Sequence, residues 1–221
     1  MTAPAPPEPS FSRRVPVGDT HERMVCDRCE FVAYENPKLV VGAVCTFGDR
    51  ILLCRRDIEP RRGYWTIPAG YFEMNETTQQ GAAREVREEA CAVVAIGDLL
   101  GCYSIPRIGQ VLMIYRAEMQ TDAHAAGDET SETMLVEYDA IPWAELAFPS
   151  VRWALQDWYD LRGRTGFAPR GVPAGEVLRP LPESGPLPES RPLPESRPIR
   201  EPEPLHVDGP MHRRPSDADA V

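Results

Sequence analysis

Apolar residues recur along this chain in short blocks separated by turn residues, and the blocks switch between strand-like and helix-like periods. Lys38–Phe47 (KLVVGAVCTF) and Arg50–Arg55 (RILLCR) are near-continuous apolar runs joined by Gly48-Asp49, which predicts two strands linked by a tight turn. Tyr64–Pro68 reads as a further short strand. Thr77 and Gln80 stand in capping-box spacing, so a helix is expected from Thr77 or Thr78 to about Glu89. Apolar runs at Val93–Tyr103, Gln110–Met119 and Met134–Tyr138 predict three more strands. Ser150 is expected to cap a last helix, Val151–Arg162, with Gly163 as its stop. Strands interspersed with two helices point to an α/β protein whose sheet is covered by helices on both faces.

The two ends of the chain follow other rules. Residues 1–20 hold five of the 24 prolines and little apolar content, which predicts a flexible arm. Thirteen more prolines fall after residue 162, where the six-residue unit Arg-Pro-Leu-Pro-Glu-Ser recurs from Arg179, Gly185 (with Gly in the first place) and Arg191, with a decayed copy from Arg197. So short and Pro-rich a repeat cannot bury a core, so residues 164–221 are expected to form an extended tail dispensable for catalysis. The globular part is thereby bounded at residues 38–163.

Charge and cysteine usage narrow the class. The formal net charge is −10, yet the region from Gly163 onward holds eight Arg against nine acids, so the excess lies in the first 162 residues. An acidic domain is a poor binder of nucleic-acid backbones, which call for a concentrated basic face. No run of 18 apolar residues exists and the N-terminus lacks the apolar core of a signal peptide, so neither a membrane span nor export by that route is expected. The six cysteines form no dense framework, and several sit inside strand-like apolar runs. A cytoplasmic protein with free thiols is the expectation.

The candidate chemistry is concentrated in residues 70–92, GYFEMNETTQQGAAREVREEACA. On a helix Glu85 and Glu89 stand one turn apart on one face, with Glu88 beside them. Carboxylates so placed repel one another unless a cation joins them, and hard divalent ions such as Mg²⁺ take such oxygen ligands, completed by water and substrate phosphate. A solvated acidic helix would have no reason to place Gly70 and Glu76 at set distances upstream.

Gly70, five residues, Glu76, seven residues, then Arg84-Glu85-Val86-Arg87-Glu88-Glu89 resembles the Nudix box of the Nudix hydrolases, which cleave diphosphates linked to another moiety. The resemblance implies an α/β/α sandwich with a mixed sheet and a catalytic Mg²⁺ or Mn²⁺. It implies Glu85 and Glu89 as metal ligands, Glu88 as a further ligand or base, Arg84 as the group that orients a ligating carboxylate, and the Ala69 carbonyl as an additional ligand. Glu76 would anchor the box loop. Cys91 departs from the pattern, which has Gly there, so either a left-handed Cys91 is strained by roughly 1 kcal/mol or the helix ends differently. For the base the resemblance implies either a box Glu or a carboxylate from a later loop, where Glu129 and Glu132 are the candidates and Glu132 is preferred.

Flanking residues narrow the branch. VCDRCEFVAYENPKLVVGAVC, YSIPRIGQV and IPWAELAFPSVRWAL resemble a group assigned to ADP-ribose or FAD pyrophosphatase activity, over roughly Val25 to Trp158. Members begin with a zinc ribbon of two Cys-x-x-Cys pairs, but here Cys26 and Cys29 form a single pair. With His21 as the only further donor, this argues against Zn²⁺ and for a degenerate ribbon at residues 21–37. Tyr103–Gln110 lacks the motif of the NADH pyrophosphatases, and nucleoside triphosphates stay open as substrates. Arg55, Arg56 and Arg107 are candidate diphosphate clamps. Phe148 and Trp143 are candidates to stack on a base. The expected partner is a small nucleoside diphosphate derivative, and a homodimer is compatible with the sequence. A non-catalytic sensor of an ADP-ribose-like ligand is the alternative from another functional class, although such proteins tend to lose the box acids that are present here.

Overall fold

The computed structural model describes residues 10–176. The chain opens with a small antiparallel sheet, β1 (Phe11–Arg14), β2 (Arg23–Cys26) and β3 (Val32–Ala33), in the order β1-β2-β3. There follow β4 (Lys38–Phe47), β5 (Arg50–Arg56), β6 (Trp65–Thr66), β7 (Ala69–Tyr71), helix α1 (Thr78–Ala90), β8 (Val94–Ile105), β9 (Gln110–Met119), β10 (Thr130–Glu137) and helix α2 (Pro149–Leu161). The large sheet runs β10-β5-β4-β9-β8, with β6 paired to β5 and β7 to β4. It is mixed: β4 and β9 are parallel, and the other pairs are antiparallel.

Side-chain alternation explains why β4 and β5 are apolar throughout. Val41, Ala43, Cys45, Leu52 and Cys54 face one way and pack with Ala82, Val86 and Ala90 of α1. Val44, Ile51 and Leu53 face the other way and pack with Val151, Ala154 and Leu155 of α2. Each strand thus buries both faces, and the sheet lies between two helices as an α/β/α sandwich. No helix among the described residues is long and apolar enough to cross a membrane.

Helix α1 begins as its spacing predicts. Gln80 N–H donates to Thr77 Oγ1 at 3.2 Å and Thr77 N–H donates to Gln80 Oε1 at 2.8 Å, closing the capping box. It ends on Cys91 in the left-handed region, φ 50° and ψ 22°, with its N–H donating to the Arg87 carbonyl at 3.0 Å. Of the two outcomes open for this position, the strained one is present. Left-handed geometry costs a residue with a Cβ about 1–2 kcal/mol, part of which glycine would return through the freer unfolded chain. Cys91→Gly is therefore expected to stabilise the protein by about 0.5–1 kcal/mol, read as a higher urea midpoint at unchanged slope.

Several expectations need correcting. Ser150 is not the N-cap of α2: Phe148 holds that place and Pro149 takes the first turn, so the helix starts two residues early. The strand expected at Met134 begins at Thr130, because pairing with β5 extends its polar half. Phe11–Arg14, expected within a flexible arm, is a strand paired with β2. Residues 164–176, expected in the extended tail, belong to the fold. Arg170 N–H donates to the Leu100 carbonyl at 2.9 Å, Cys102 N–H donates to the Arg170 carbonyl at 2.8 Å, and Phe167 and Val172 pack on the α2-side core. The six-residue repeats lie outside the described residues.

Candidate active site

Strand β7 and helix α1 meet edge to face, and this junction builds the site. Gly70 lies in β7 opposite Val41 of β4. A Cβ on Gly70 would come within 2.3 Å of Glu85 Oε2, so only glycine leaves room for that carboxylate against the strand. Glu85 and Glu89, one turn apart, are 7% and 8% exposed. Burial raises the Glu85 carboxyl, although Arg84 beside it pulls the other way. Burial also pushes Glu89 up to about 8, with the neighbouring Glu85 charge adding to it and the Ala69 N–H, donating at 3.2 Å, opposing it.

Arg84 holds the loop and the helix together. Its Nε and Nη2 donate to the two Glu76 oxygens at 3.0 and 2.8 Å. Nη1 donates to Glu85 Oε1 at 2.6 Å and Glu88 Oε2 at 2.9 Å, and Nη2 also reaches the Tyr71 carbonyl at 3.0 Å. All the donor directions of a guanidinium are used within the protein, leaving it to position carboxylates rather than to grip substrate. That fork, with the Glu73 N–H at 2.9 Å, holds the Glu76 carboxyl down at about 2.

A third acid arrives from the loop between β9 and β10. Ala125 and Gly127 N–H groups donate to the Ala90 and Glu89 carbonyls at 2.9 and 3.1 Å, satisfying acceptors that the end of α1 leaves open. The loop delivers Asp128 and Glu129 to a cavity of about 1160 Å³ that also holds Ala69, Gly70, Arg84, Glu85, Glu88 and Glu89. Glu129 adds its charge to the field at both Glu85 and Glu89. The same cavity is lined by the apolar side chains of Ile58, Ile105, Ile108, Leu112, Phe148 and Trp153.

The other candidates separate. Arg56, Arg107 and Phe148 line the cavity, and Arg56 lies over the Phe148 ring at 5.2 Å. Arg55 and Glu132 do not line it: they face each other across β5 and β10 with a 3.3 Å ion pair. Glu132, the preferred base, therefore does not stand at the cavity. The strand includes it, and the register turns it onto Arg55. Trp143 packs edge-on against Tyr138 at 5.2 Å, away from the cavity. Gly127, Asp128 and Ile108 were missed, and only Gly127, a glycine in a polar loop, carried any signal.

Among the described residues, no three His, Cys, Asp or Glu side chains are gathered as a ready metal cluster. The donor set nevertheless fits a hard divalent ion. Burial raises both the Glu85 and Glu89 carboxyls and the Glu85 charge adds to the shift at Glu89, which a cation between them would relieve, and they open on a cavity with room for water and phosphate.

A family model described as the NUDIX domain matches residues 36–159, more than half of the chain. The chain is a Nudix hydrolase. A second model, a zinc ribbon described as Nudix N-terminal, matches residues 9–35. Among solved structures, a Nudix hydrolase from Nitrosomonas europaea is 38% identical with a TM-score of 0.71, covering 78% of this chain and 99% of that one. An ADP-ribose pyrophosphatase from Methanocaldococcus jannaschii is 27% identical over 126 residues, 55% of this chain and 73% of that protein. The NAD-capped RNA hydrolase NudC of Pseudomonas aeruginosa is 31% identical over 128 residues, 55% of this chain but 44% of that protein. This Nudix hydrolase therefore spans less than half the length of NudC. Nudix enzymes act as pyrophosphatases with divalent metal ions, the chemistry for which the donor set above is suited.

Proposed function

We propose that this Nudix hydrolase splits ADP-ribose into AMP and ribose 5-phosphate with Mg²⁺ or Mn²⁺. The observation that carries the reading is a single cavity lined both by the acids Glu85, Glu89 and Glu129 and by the rings of Phe148 and Trp153. A ligand with two phosphates between an aromatic base and a sugar matches that combination of acids and rings. Arg56 and Arg107 line the same space and can take the phosphate charge. The archaeal relative named as an ADP-ribose pyrophosphatase supports the choice. FAD, the other substrate considered from sequence, has no such support. NAD-capped RNA is disfavoured by the net charge of −10, which repels a polynucleotide backbone.

Glu85, Glu89 and the Ala69 carbonyl would hold the cation, with Glu88 as a further donor at the rim. Bound there, a divalent ion neutralises the diphosphate and lowers the pKa of a coordinated water. Arg84 keeps Glu85 in place through the 2.6 Å bond, and the burial of Glu85 and Glu89 excludes bulk water from the acids. The diphosphate P–O bond breaks as water oxygen bonds to phosphorus, and Glu129 accepts the proton of that water. The departing phosphate leaves as a monoester, its charge met by Arg56 or Arg107.

Offering ADP-ribose, FAD, NADH and a nucleoside triphosphate side by side, and following AMP or pyrophosphate release, tests the substrate. Preference for ADP-ribose is expected, and turnover of none of the four would leave a non-catalytic sensor as the better reading. The base assignment has its own check. Glu129→Gln is expected to lower kcat about a hundredfold, the low end for general-base removal. Glu132→Gln should stay within about threefold, since only a part-exposed ion pair is lost. Reversal of that order would return the base to Glu132.

A further inference from the structure

The N-terminal sheet carries chemistry that diphosphate cleavage leaves unused. After β2 the chain turns sharply: Glu30 takes φ 61°, its N–H donates to the Cys26 carbonyl at 3.0 Å, and Cys26 N–H donates to the Phe31 carbonyl at 2.8 Å. Backbone hydrogen bonding from Arg28 and Cys29 within this turn holds the Cys26 thiol below its usual range. Cys26 is 4% exposed, whereas Cys29 is open to solvent.

The matched ribbon model implies zinc here, but the donors do not fit a closed four-ligand site. Where a second cysteine pair would stand, Ser10 and Ser12 donate their hydroxyls to the Asp27 carboxylate at 2.8 and 2.6 Å, and Asp27 N–H donates to the Ser10 carbonyl at 2.9 Å. His21 is turned to solvent, its side chain 74% exposed and its Nδ1 bonded to Thr20 Oγ1 at 2.9 Å. The place of the missing sulfurs is filled by a hydrogen-bonded clasp, which closes the ribbon without metal.

We propose that Cys26 and Cys29 form a reversible dithiol–disulfide pair, oxidised by small-molecule disulfides, in a ribbon whose fold depends on the Ser10–Asp27–Ser12 clasp instead of zinc. The exposed Cys29 loses its proton and its sulfur attacks a disulfide RSSR. A Cys29–S–S–R bond forms and one RS⁻ leaves. Cys26, its thiolate stabilised by the two N–H groups, then attacks the Cys29 sulfur, closing the Cys26–Cys29 bond and releasing the second RS⁻. The two protons given up by the protein convert both leaving groups to RSH. Two thiols are oxidised and one disulfide is reduced. So short a loop adds little to stability, and an exposed sulfur keeps the bond open to reduction, so the pair is expected to cycle.

The test uses the full-length protein as purified. Metal content is measured, the protein is equilibrated in glutathione buffers of rising oxidised fraction, and free thiols are trapped with an alkylating agent before trypsin digestion. Substoichiometric zinc is expected, with a peptide pair, Met24–Arg28 joined to Cys29–Lys38, that appears in oxidising buffer and disappears with dithiothreitol. Cys29→Ser should abolish the linked pair, and Cys26→Ser should leave glutathione held on Cys29. Cys45 and Cys54, both buried, should stay reduced throughout. One zinc per chain that blocks both thiols would overturn the proposal. So would alkylation of both cysteines in every buffer, or glutathione held on Cys29 of the wild type without ring closure. Should Cys26→Ser not fold, the wild-type trapping and Cys29→Ser still decide the matter.

Discussion

Glu89→Gln is expected to lower turnover by at least about a thousandfold, close to 4 kcal/mol of transition-state stabilisation, while making the metal-free protein more stable above neutral pH. The two effects have one cause. Glu89 is 8% exposed, lies beside Glu85 and within the field of Glu129, and has the Ala69 N–H at 3.2 Å as a donor. Its carboxyl titrates near 8, chiefly because of burial. An unfolded glutamate titrates near 4.3, so between these values the folded protein holds a proton that the unfolded chain has lost. Stability is therefore fully present below the unfolded pKa and is lost as pH rises through about 8, by something on the order of a few kcal/mol. The amide cannot ionise, so Glu89→Gln should flatten that slope. If, as proposed, a divalent ion binds the folded carboxylates, Mg²⁺ or Mn²⁺ should restore wild-type stability at pH 8 and do little for the variant. Denaturant unfolding at both ends of the window, with and without metal, reads this directly. A variant less stable than the metal-free wild type at pH 8, or one that keeps its turnover, would remove Glu89 from the metal site.

What the sequence made legible was local. Lys38–Phe47 and Gln110–Met119 are strands to the residue, and Thr77 with Gln80 marks the start of α1, because runs and caps are written within a few neighbouring positions. Glu76, Arg84, Glu85 and Glu89 are legible for the same reason: one loop and the helix that follows it carry them all. Pairing between distant segments was not. Whether Glu132 faces the cavity or Arg55 depends on the register of β10 against β5, and a shift of one residue reverses it. The stretch 164–176 offers only Phe167 and Val172 as apolar anchors, and what holds it is backbone pairing to Leu100 and Cys102, which leaves no mark in composition. Phe148 shows the limit from the other side: it was named for its chemistry, and its place on the cavity wall depends on α2 starting at Pro149.

Gly127→Ala is expected to lower kcat by at least about a hundredfold and to cost roughly 2 kcal/mol of stability, for a reason no local pattern shows. A Cβ at Gly127 would sit 1.7 Å from the Glu88 carbonyl oxygen and 2.8 Å from its carbon, both backbone atoms with no rotamer to move aside. The loop must lift from the end of α1, giving up the bonds from Ala125 and Gly127 to the Ala90 and Glu89 carbonyls, each worth about 1 kcal/mol. Lifting also withdraws Glu129 from the cavity, so Gly127 acts as a positioning residue for the proposed base. A general loss of fold and a displaced base are told apart by combining the change with Glu129→Gln. If Gly127 works through Glu129, the double variant should be no slower than the slower single variant, because the same group cannot be lost twice. Losses that multiply would mean that Gly127 sustains the reaction through α1 itself, by way of the Glu88–Glu89 backbone on which the loop rests.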